Sequence, residues 1–589
     1  MVLLRTLMFL GFFCGVFPPR ASAQNLPTEK CPRPAPGSAI AEPEDLRSEN
    51  GVLRVNFFYY SSVDSRGSLR YCYVTDSGAQ SPNLRVHPGD RLIINLKNEI
   101  VAPVKSSSAS PHHAVMAQSC AGGGAMTASA TNLHFHGLAI PPICHQDEVL
   151  TTSVLPSDAP YEYRVQIPAN QPPGLYWYHP HLHGFSKVQV LGGASGALIV
   201  EGIERVNTAL AGLPERVIVI RDQDLLHPDA PSAESGTVAP PVVLDADGDA
   251  RNTGSGTGKP AKDLSVNFIP APYPNYEKAI ISIKPGERQL WRVLNASAIT
   301  YLNLQMLFDG LPQGFGVVAL DGVPINWNGL GRGLVWQTHL GLPPGGRTEF
   351  IVTGPPEGVK AELLTRSVNT GSGGENDPVR PLAVIVASKD APEPRSKLSA
   401  SPEPLVRSNA DWLGRIQPVR ERKLYFSETL QDPKDPNSPT TFYITADGEK
   451  PVLFDPNSAI PNIIVHQGDV EDWYIENRSQ ELHAFHIHQI HFMLLEWFGI
   501  PVNEPFLRDT INVPFWDGKS KYPSVKLRMD FRDPSIVGTF PYHCHLLEHE
   551  DGGMMGLVRV EPREDSKEKF KNELEAAPPA AANSGARLR

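Results

Sequence analysis

LRVHPGDRLIINLKN (residues 84–98), ISIKPGERQLWRVLNAS (281–297) and IIVHQGDVEDWYIENRS (463–479) are three versions of one phrase. In each, an alternating apolar strand runs into a Gly-acid turn, at Gly89, Gly286 and Gly468, and a second strand reaches an asparagine nine residues after the glycine. One such phrase would be an ordinary hairpin with turn-forming residues at its tip. Three of them, with glycines 197 and 182 residues apart, predict an internal repeat of a domain-sized unit. Each unit closes on a similar apolar strand: SGALIVEG ending at Gly202, PLAVIVAS at Ser388 and MGLVRVEP at Pro562. The domains are therefore expected at 24–202, 210–395 and 405–565. Period-two alternation predicts half-buried antiparallel strands, hence an all-β chain of three β-sandwiches with Greek-key connections. No dinucleotide fingerprint and no run of βαβ units competes.

Composition sets the outer limits. Glycine and proline, 49 and 57 of 589 residues, are too frequent for a helical protein and suit short strands joined by turns. A chain that is 41% hydrophobic with six cysteines is neither disordered throughout nor a disulfide-dense miniprotein. The formal net charge of −11 argues against a nucleic-acid partner, because non-specific binding needs a basic surface. Some stretches fall outside the strand pattern. Residues 104–130 read as a Ser-, Ala- and Gly-rich insertion and 369–379 as a short loop. Residues 228–265, containing ADGDARNTGSGTGK, lack the spacing of a calcium or phosphate loop and read as a long surface loop of the middle domain. The Ala- and Pro-rich end, 566–589, is expected to be a disordered tail.

Residues 1–23 read as a signal peptide. Arg5 supplies the positive charge, Leu7 to Phe17 the apolar core and Ala21-Ser22-Ala23 the cleavage site. The competing reading, a membrane anchor, needs about 20 apolar residues, which neither this core nor any later stretch supplies. A secreted or periplasmic location without a stable membrane anchor is expected, and loss of Arg5 and Arg20 moves the net charge from −11 to −13. Cys14 leaves with the signal. Cys31, Cys72, Cys120 and Cys144 can form two disulfides in an oxidising compartment, in any of three pairings. Cys31–Cys72 with Cys120–Cys144 is preferred because each closes a local loop. Cys544 is left over, between two histidines.

Nineteen histidines scattered at random over 589 positions give fewer than one pair at i and i+2; this chain has five. They lie in HFHG (His134, His136), HPHLHG (His179, His181, His183), HIH (His486, His488) and HCH (His543, His545). On a strand, i and i+2 share a face about 6.6 Å apart. Such a pair can offer one imidazole to each of two adjacent metal ions, or clamp one ion if the strand bends. Two motifs fall in the first domain and two in the third, so the end domains are expected to meet across a metal cluster. His543 and His545 face one way and Cys544 the other, which puts the thiolate in a second site joined to the cluster through the backbone. His483, His549 and Met554 lie near Cys544 in the sequence pattern. Two histidines, a cysteine and a weak axial methionine are the ligand set of a blue copper centre. A zinc site would use some of these atoms but would not explain two sites wired through one peptide segment. His183 reads as a residue that orients a ligand ring, His491 as structural or orienting, and His112, His113 and His145 as surface residues. His87, His227, His339 and His466 have no constellation.

HFHG, WYHPHLHG, HAFHIHQIHF and YHCHLLEHEDGGMM resemble the four copper-binding signatures of the three-domain multicopper oxidases, a family that includes laccases, ascorbate oxidases, bilirubin oxidases and periplasmic cuprous oxidases. The resemblance covers essentially the whole mature chain and implies three cupredoxin-like domains holding four copper ions. It implies a type 1 copper at His483, Cys544 and His549 with Met554 axial, a type 2 copper at His134 and His486, and a type 3 pair at His136, His179, His181, His488, His543 and His545. It also implies proton-relay carboxylates, matched by Glu550 and by Asp147, for which a solvated surface role is the alternative. The implied reaction takes single electrons from a small-molecule reducing substrate at the type 1 copper and reduces oxygen to water at the other three.

Nine methionines without a cluster argue against collection of copper(I), which favours soft thioether ligands. A phenol, methoxyphenol or aromatic amine is therefore the expected donor, for which a shallow apolar pocket with one acidic group suffices. Trp497 and Phe498 either line that pocket or pack in the core. A metal oxidase acting on Cu(I) or Mn(II) is the alternative, marked by an acidic or Met-lined path to the type 1 site. A non-catalytic assembly protein of cupredoxin fold is the third reading, and it would have lost ligands that this chain retains. A monomer is expected.

Overall fold

The computed structural model describes residues 29–101, 120, 126–232, 243–329, 333–405, 412–435, 438–458, 460–504 and 506–563. The signal segment, most of the 104–130 insertion with His112 and His113, part of the 228–265 loop, and the tail lie outside the described residues. The chain is an all-β protein of three cupredoxin-like sandwiches. The first has four- and five-stranded sheets, the second nine- and six-stranded sheets, and the third seven- and five-stranded sheets. Each encloses its own apolar core, built around Phe57, Tyr73 and Tyr178 in the first, Trp291 and Phe350 in the second, and Trp473, Phe485 and Tyr542 in the third.

The repeated phrase is a corner and not the expected hairpin. Its two strands belong to opposite sheets of the same sandwich. Asn83–Val86, Ala279–Ile283 and Ile463–His466 each pair in parallel with the closing strand of their domain, Gly196–Val200, Arg380–Ala387 and Met555–Glu561. After the turn, Arg91–Asn98, Arg288–Asn295 and Asp469–Asn477 each pair in parallel with the long strand that precedes the phrase, Val52–Val63, Pro214–Gln223 and Arg420–Leu430. The sheets are thus mixed where alternation alone predicted antiparallel pairing. The physical reason lies in the turn. Gly89, Gly286 and Gly468 take φ of 91°, 71° and 93°, a region that glycine enters without a Cβ clash. The following acid folds back onto the backbone N–H three residues earlier, Asp90 to His87 at 2.8 Å, Glu287 to Lys284 at 3.4 Å and Asp469 to His466 at 3.2 Å. The chain therefore leaves one sheet and enters the facing one.

The asparagine that ends each phrase locks the far side. Asn98, Asn295 and Asn477 are buried, and the side-chain amide of each donates to two or three loop carbonyls. In all three, Oδ1 accepts the N–H of the residue two positions on. One side chain thus satisfies backbone groups that a buried loop would otherwise leave unpaired.

Contacts between domains are both apolar and ionic. Leu175, Trp177, Ala197 and Ile199 of the first domain pack on Val217, Val219, Leu294 and Ala296 of the second. Beside them Arg85 reaches Glu201 and Glu215, and Arg292 reaches Glu215 and Glu349, all with side chains at most 14% exposed. Two short helices, Ser186–Leu191 and Leu547–Asp551, carry the chain away from HPHLHG and HCH and pack together, joining the first and third domains. Asp247, in the described part of the middle-domain loop, shares Lys187 of the first domain with Glu548 of the third. Disulfides join Cys31 to Cys72 and Cys120 to Cys144.

Asn295→Ala leaves the carbonyls of Thr300, Leu342 and Pro343 without this donor. A buried group left unpaired costs about 1–3 kcal/mol, so calorimetry should show the variant less stable by roughly 2 kcal/mol or more. A change within about 0.5 kcal/mol, typical of a surface substitution, would deny the asparagine its locking role.

Candidate metal centre

Register places the histidines. His134–His136 lies antiparallel to Gly174–His179, with His134 opposite His179, and His483–Ile487 lies against Gly538–Cys544, with His486 opposite His543. The two strand pairs come from different domains and meet face to face. His134 stacks on His488 and His136 on His486, both with ring centroids 3.9 Å apart. All eight imidazoles of the four paired motifs are buried.

Their nitrogens fall into distinct groups. Nε2 of His181, His488 and His543 form a triangle with sides of 3.2–3.3 Å. His545 Nε2 lies 3.3 Å from His136 Nδ1, while His179 Nε2, on the same side, has no hydrogen-bond partner. His134 Nε2 and His486 Nε2 are also buried without partners. The opposite ring nitrogens are held. His179 Nδ1 faces the Pro180 carbonyl at 2.9 Å, His486 Nδ1 the Asp509 carbonyl at 2.8 Å, His543 Nδ1 the Cys544 carbonyl at 2.9 Å, and His134 Nδ1 the Asp147 carboxylate at 3.0 Å. Each of these contacts fixes the ring and leaves the far lone pair free for a metal. Burial lowers the pKa values of His136, His179, His181, His486, His488, His543 and His545, and neighbouring rings lower them further, His543 to about 3. Protons therefore cannot fill the space between the rings at neutral pH, whereas a cation can. The residues present fit a metal cluster.

The second group lies within the third domain. His483 Nδ1 and His549 Nδ1 are 3.2 Å apart, and Cys544 Sγ is 3.6 and 3.7 Å from them. Met554 is buried beside them, its N–H bonded to the His549 carbonyl at 2.8 Å and its carbonyl to the Cys544 N–H at 3.1 Å. Burial pushes the Cys544 thiol up, so the thiolate needs a metal ion to offset its charge. Two imidazoles, a thiol and a nearby thioether suit copper.

The two carboxyl groups predicted from sequence both sit against imidazoles. Asp147 accepts the Phe135 N–H as well as facing His134. Glu550 Oε1 lies 3.6 Å from His181 Nδ1 and Oε2 lies 3.5 Å from His543 Nδ1, and Ser186 Oγ donates to Oε1 at 3.1 Å. Burial, and then Asp551, raise the Glu550 pKa well above the ordinary carboxylate value, which favours its protonated form.

Other residues fall apart from the groups. His183 packs on Phe454, His145 stacks on Tyr161, and His491 Nε2 meets the Asp321 carbonyl at 2.9 Å. Trp497 packs against the third-domain core and Phe498 is half exposed in the turn after it; the rings lying on His483 and His549 are those of Phe426 and Phe442. Sequence reading missed Ser479, Glu428 and Glu481, which occupy the outward side of the sulfur-containing site. His483 Nε2 is 2.8 Å from Ser479 Oγ and 3.0 Å from Glu428 Oε1, and His549 Nε2 is 3.3 Å from Glu481 Oε1. Burial opposes ionisation of Glu428, but His483 and His549 outweigh it and hold its pKa below the ordinary value. Asp509, which faces His136 at 3.2 Å, was missed as well. No local pattern marks it, since His136 and Arg347, which its carboxylate meets, lie 373 and 162 residues away.

Comparison with known proteins leads to multicopper oxidases. Residues 433–564 and 125–205 match two family models described as multicopper oxidase. A multicopper oxidase of Staphylococcus haemolyticus is 24% identical over 438 residues, covering 73% of this chain and 76% of the relative. A laccase of Bacillus subtilis is 23% identical over 463 residues, covering 72% and 78%. A Campylobacter jejuni multicopper oxidase described as a metallo-oxidase superposes with a TM-score of 0.59 at 22% identity, covering 90% of this chain and 96% of that one.

A cation held by these imidazoles would bridge two domains, so stripping copper with a chelator should lower the thermal midpoint of the loaded protein, and restoring copper should recover it. An unchanged midpoint in protein proven metal-free would mean that the fold does not depend on these sites being filled.

Proposed function

The chain belongs to the multicopper oxidase family and is an oxidoreductase that uses oxygen, and from that premise we propose that it couples one-electron oxidation of phenolic or aromatic amine donors to the four-electron reduction of oxygen to water. Four copper ions, when bound, would supply the electron acceptance and the oxygen chemistry. His483, Cys544, His549 and Met554 would hold the type 1 ion; His134 and His486 the type 2 ion; and His136, His179 and His545, with His181, His488 and His543, the type 3 pair. The observation that carries this reading is the register of one strand: Cys544 Sγ turns toward His483 and His549 while His543 and His545 turn to the other imidazoles. Electrons accepted at the sulfur side have a covalent route of one residue in each direction to the oxygen side.

The chain's own groups handle protons at both ends. Glu428 is ionised, 18% exposed and in contact with His483, so it can accept the proton that a phenol loses with its electron. Glu550, whose proton burial helps to retain, lies against His181 and His543 and can donate to reducing oxygen, and Asp147 stands against His134 on the other flank. Burial of the eight imidazoles excludes bulk water from the oxygen side. The leader sequence implies that this work is done outside the cytoplasm.

A second donor class is favoured by one observation. Carboxyl groups stand against both His483 and His549, Glu428 on one and Glu481 on the other, although burial, and then Glu428, push the Glu481 pKa well up. That is the acidic path expected of an oxidase for metal ions such as Mn(II), whose hard oxygen ligands these groups could supply. The Campylobacter jejuni relative is described as a metallo-oxidase.

Cys544→Ser should abolish blue absorption and donor oxidation while the fold persists by circular dichroism. A variant that stays blue and active would remove the type 1 assignment. Oxygen uptake by the copper-loaded protein, with a methoxyphenol, Mn(II) and copper(I) compared at equal concentration, decides the donor. Strong uptake with the phenol alone supports the first reading, and uptake with a metal ion alone replaces it by the second. Glu550→Gln should slow turnover about 10–100-fold, within the range of a lost proton donor, while the blue colour still bleaches at the normal rate under anaerobic donor. Unchanged turnover when oxygen reduction limits the rate would take Glu550 out of the proton path.

A further inference from the structure

Arg347 begins the middle-domain strand Arg347–Thr353, in the domain that contributes none of the imidazoles. Its guanidinium is buried at the meeting point of all three domains, and all five of its N–H groups have an acceptor. Nε donates to the Leu175 carbonyl of the first domain at 3.2 Å. Nη1 and Nη2 donate to the Gly345 and Asp321 carbonyls of the second domain at 3.1 and 3.0 Å. The remaining two form a fork on Asp509 of the third domain, Nη1 to Oδ1 at 2.7 Å and Nη2 to Oδ2 at 2.6 Å.

Asp509 is the link from that fork to the imidazoles. Its Oδ1 lies 3.2 Å from His136 Nε2, its carbonyl accepts His486 Nδ1 at 2.8 Å, and its N–H donates to Asp321 Oδ2 at 3.2 Å. Thr510 Oγ1 donates to the same Oδ1 at 2.9 Å and stands 3.2 Å from His486 Nδ1. A carboxylate only accepts, so His136 must carry its hydrogen on Nε2, which leaves the Nδ1 lone pair aimed toward His545. The glycines around this point show how closely it is packed. A Cβ on Gly137, the last residue of HFHG, would lie 2.5 Å from Arg347 Nη2 and 2.6 Å from Asp509 Oδ2. A Cβ on Gly345 would lie 2.8 Å from His545 Nε2.

We propose that Arg347 of the middle domain is a positioning residue for the metal cluster: acting through Asp509, it sets the tautomer and tilt of His136 and His486 and makes their alignment depend on the docking of all three domains. This rests on the copper assignment above and extends it, since Arg347 touches no ligand atom. A planar fork is required. Lysine carries the same charge, but it has three donors on a single nitrogen and cannot form two parallel bonds while reaching Leu175, Gly345 and Asp321.

The test uses the full copper-loaded protein with Arg347→Lys and Asp509→Asn, and Glu215→Gln as a control. Glu215 binds Arg85 and Arg292 at the boundary of the first two domains and touches none of the eight imidazoles in the clusters. Copper per chain, blue absorption and electron paramagnetic resonance are read together, since a coupled type 3 pair is silent in the last. Arg347→Lys and Asp509→Asn should keep the blue colour, whose ligands lie wholly in the third domain. They should hold cluster copper about 10–100-fold more weakly, the usual effect of losing an orienting partner, and should turn part of the silent copper visible. Glu215→Gln should keep the wild-type spectrum even if it melts earlier. Wild-type copper content and a silent pair in both variants would overturn the proposal. So would the same spectral change in Glu215→Gln, which would make it an effect of domain docking in general, or loss of blue colour along with the cluster, which would make it a folding effect. Failure of the copper reading itself would look different, because the wild-type protein would then show no silent pair.

Discussion

Eight buried imidazoles brought nitrogen to nitrogen across a domain boundary are the constraint on which the rest of the structure depends. Lone pairs 3.2 Å apart repel, and burial removes the water that could separate them. Burial also lowers the ring pKa values, so protonation does not relieve the repulsion at neutral pH. A cation relieves it. The polypeptide can hold this arrangement only because stabilisation is collected elsewhere, in three apolar cores and in the ionic contacts between domains. Folding and metal binding are then parts of one equilibrium, with the first and third domains each holding half of a site.

That division gives the middle domain its purpose. It lacks histidine pairs, yet its Gly345 backbone lies against His545 and its Arg347 ties Leu175 and Asp509 into one frame. A site split between two bodies is only as well aligned as the third body that holds them. Hydrogen bonds to carbonyls and a carboxylate fix angle as well as distance, which an apolar interface alone would not do. The glycine of HFHG follows from the same geometry: any side chain at Gly137 would displace the Arg347–Asp509 fork.

Much of this could be read from the sequence, because its strongest signals are local. Period-two histidines identify a strand face, and the HCH segment separates two sites because neighbouring side chains on a strand point in opposite directions. The phrase ending at Asn98, Asn295 and Asn477 marked three units for the same reason. It did not show that its two strands lie in opposite sheets, since a Gly-acid turn is written alike at a hairpin tip and at a sandwich corner. Glu428 and Asp509 could not be found either. Glu428 reaches His483 because its strand lies between the strand carrying Phe442 and the strand Asp469–Asn477, just after which Ser479 meets the same imidazole, and Asp509 meets Arg347 across 162 residues of sequence. Such residues are ordinary surface acids in every local respect, and only the fold makes them partners.

The outward face of the sulfur-containing site joins access to tuning. His483 and His549 are buried, so a donor meets Glu428 or the rim around it before it meets an imidazole. An ionised carboxylate there attracts a cation or accepts a hydroxyl hydrogen. The same charge also stabilises whichever oxidation state of a bound metal is more positive, and so lowers its potential. A centre of lowered potential passes over donors that hold their electrons tightly and accepts those that yield them readily. Electron-rich phenols, aromatic amines and oxidisable metal ions share that property, and all three can engage a carboxylate. On the proposed reading, Glu428 would select twice with one charge, by what it binds and by how strongly a metal behind it pulls.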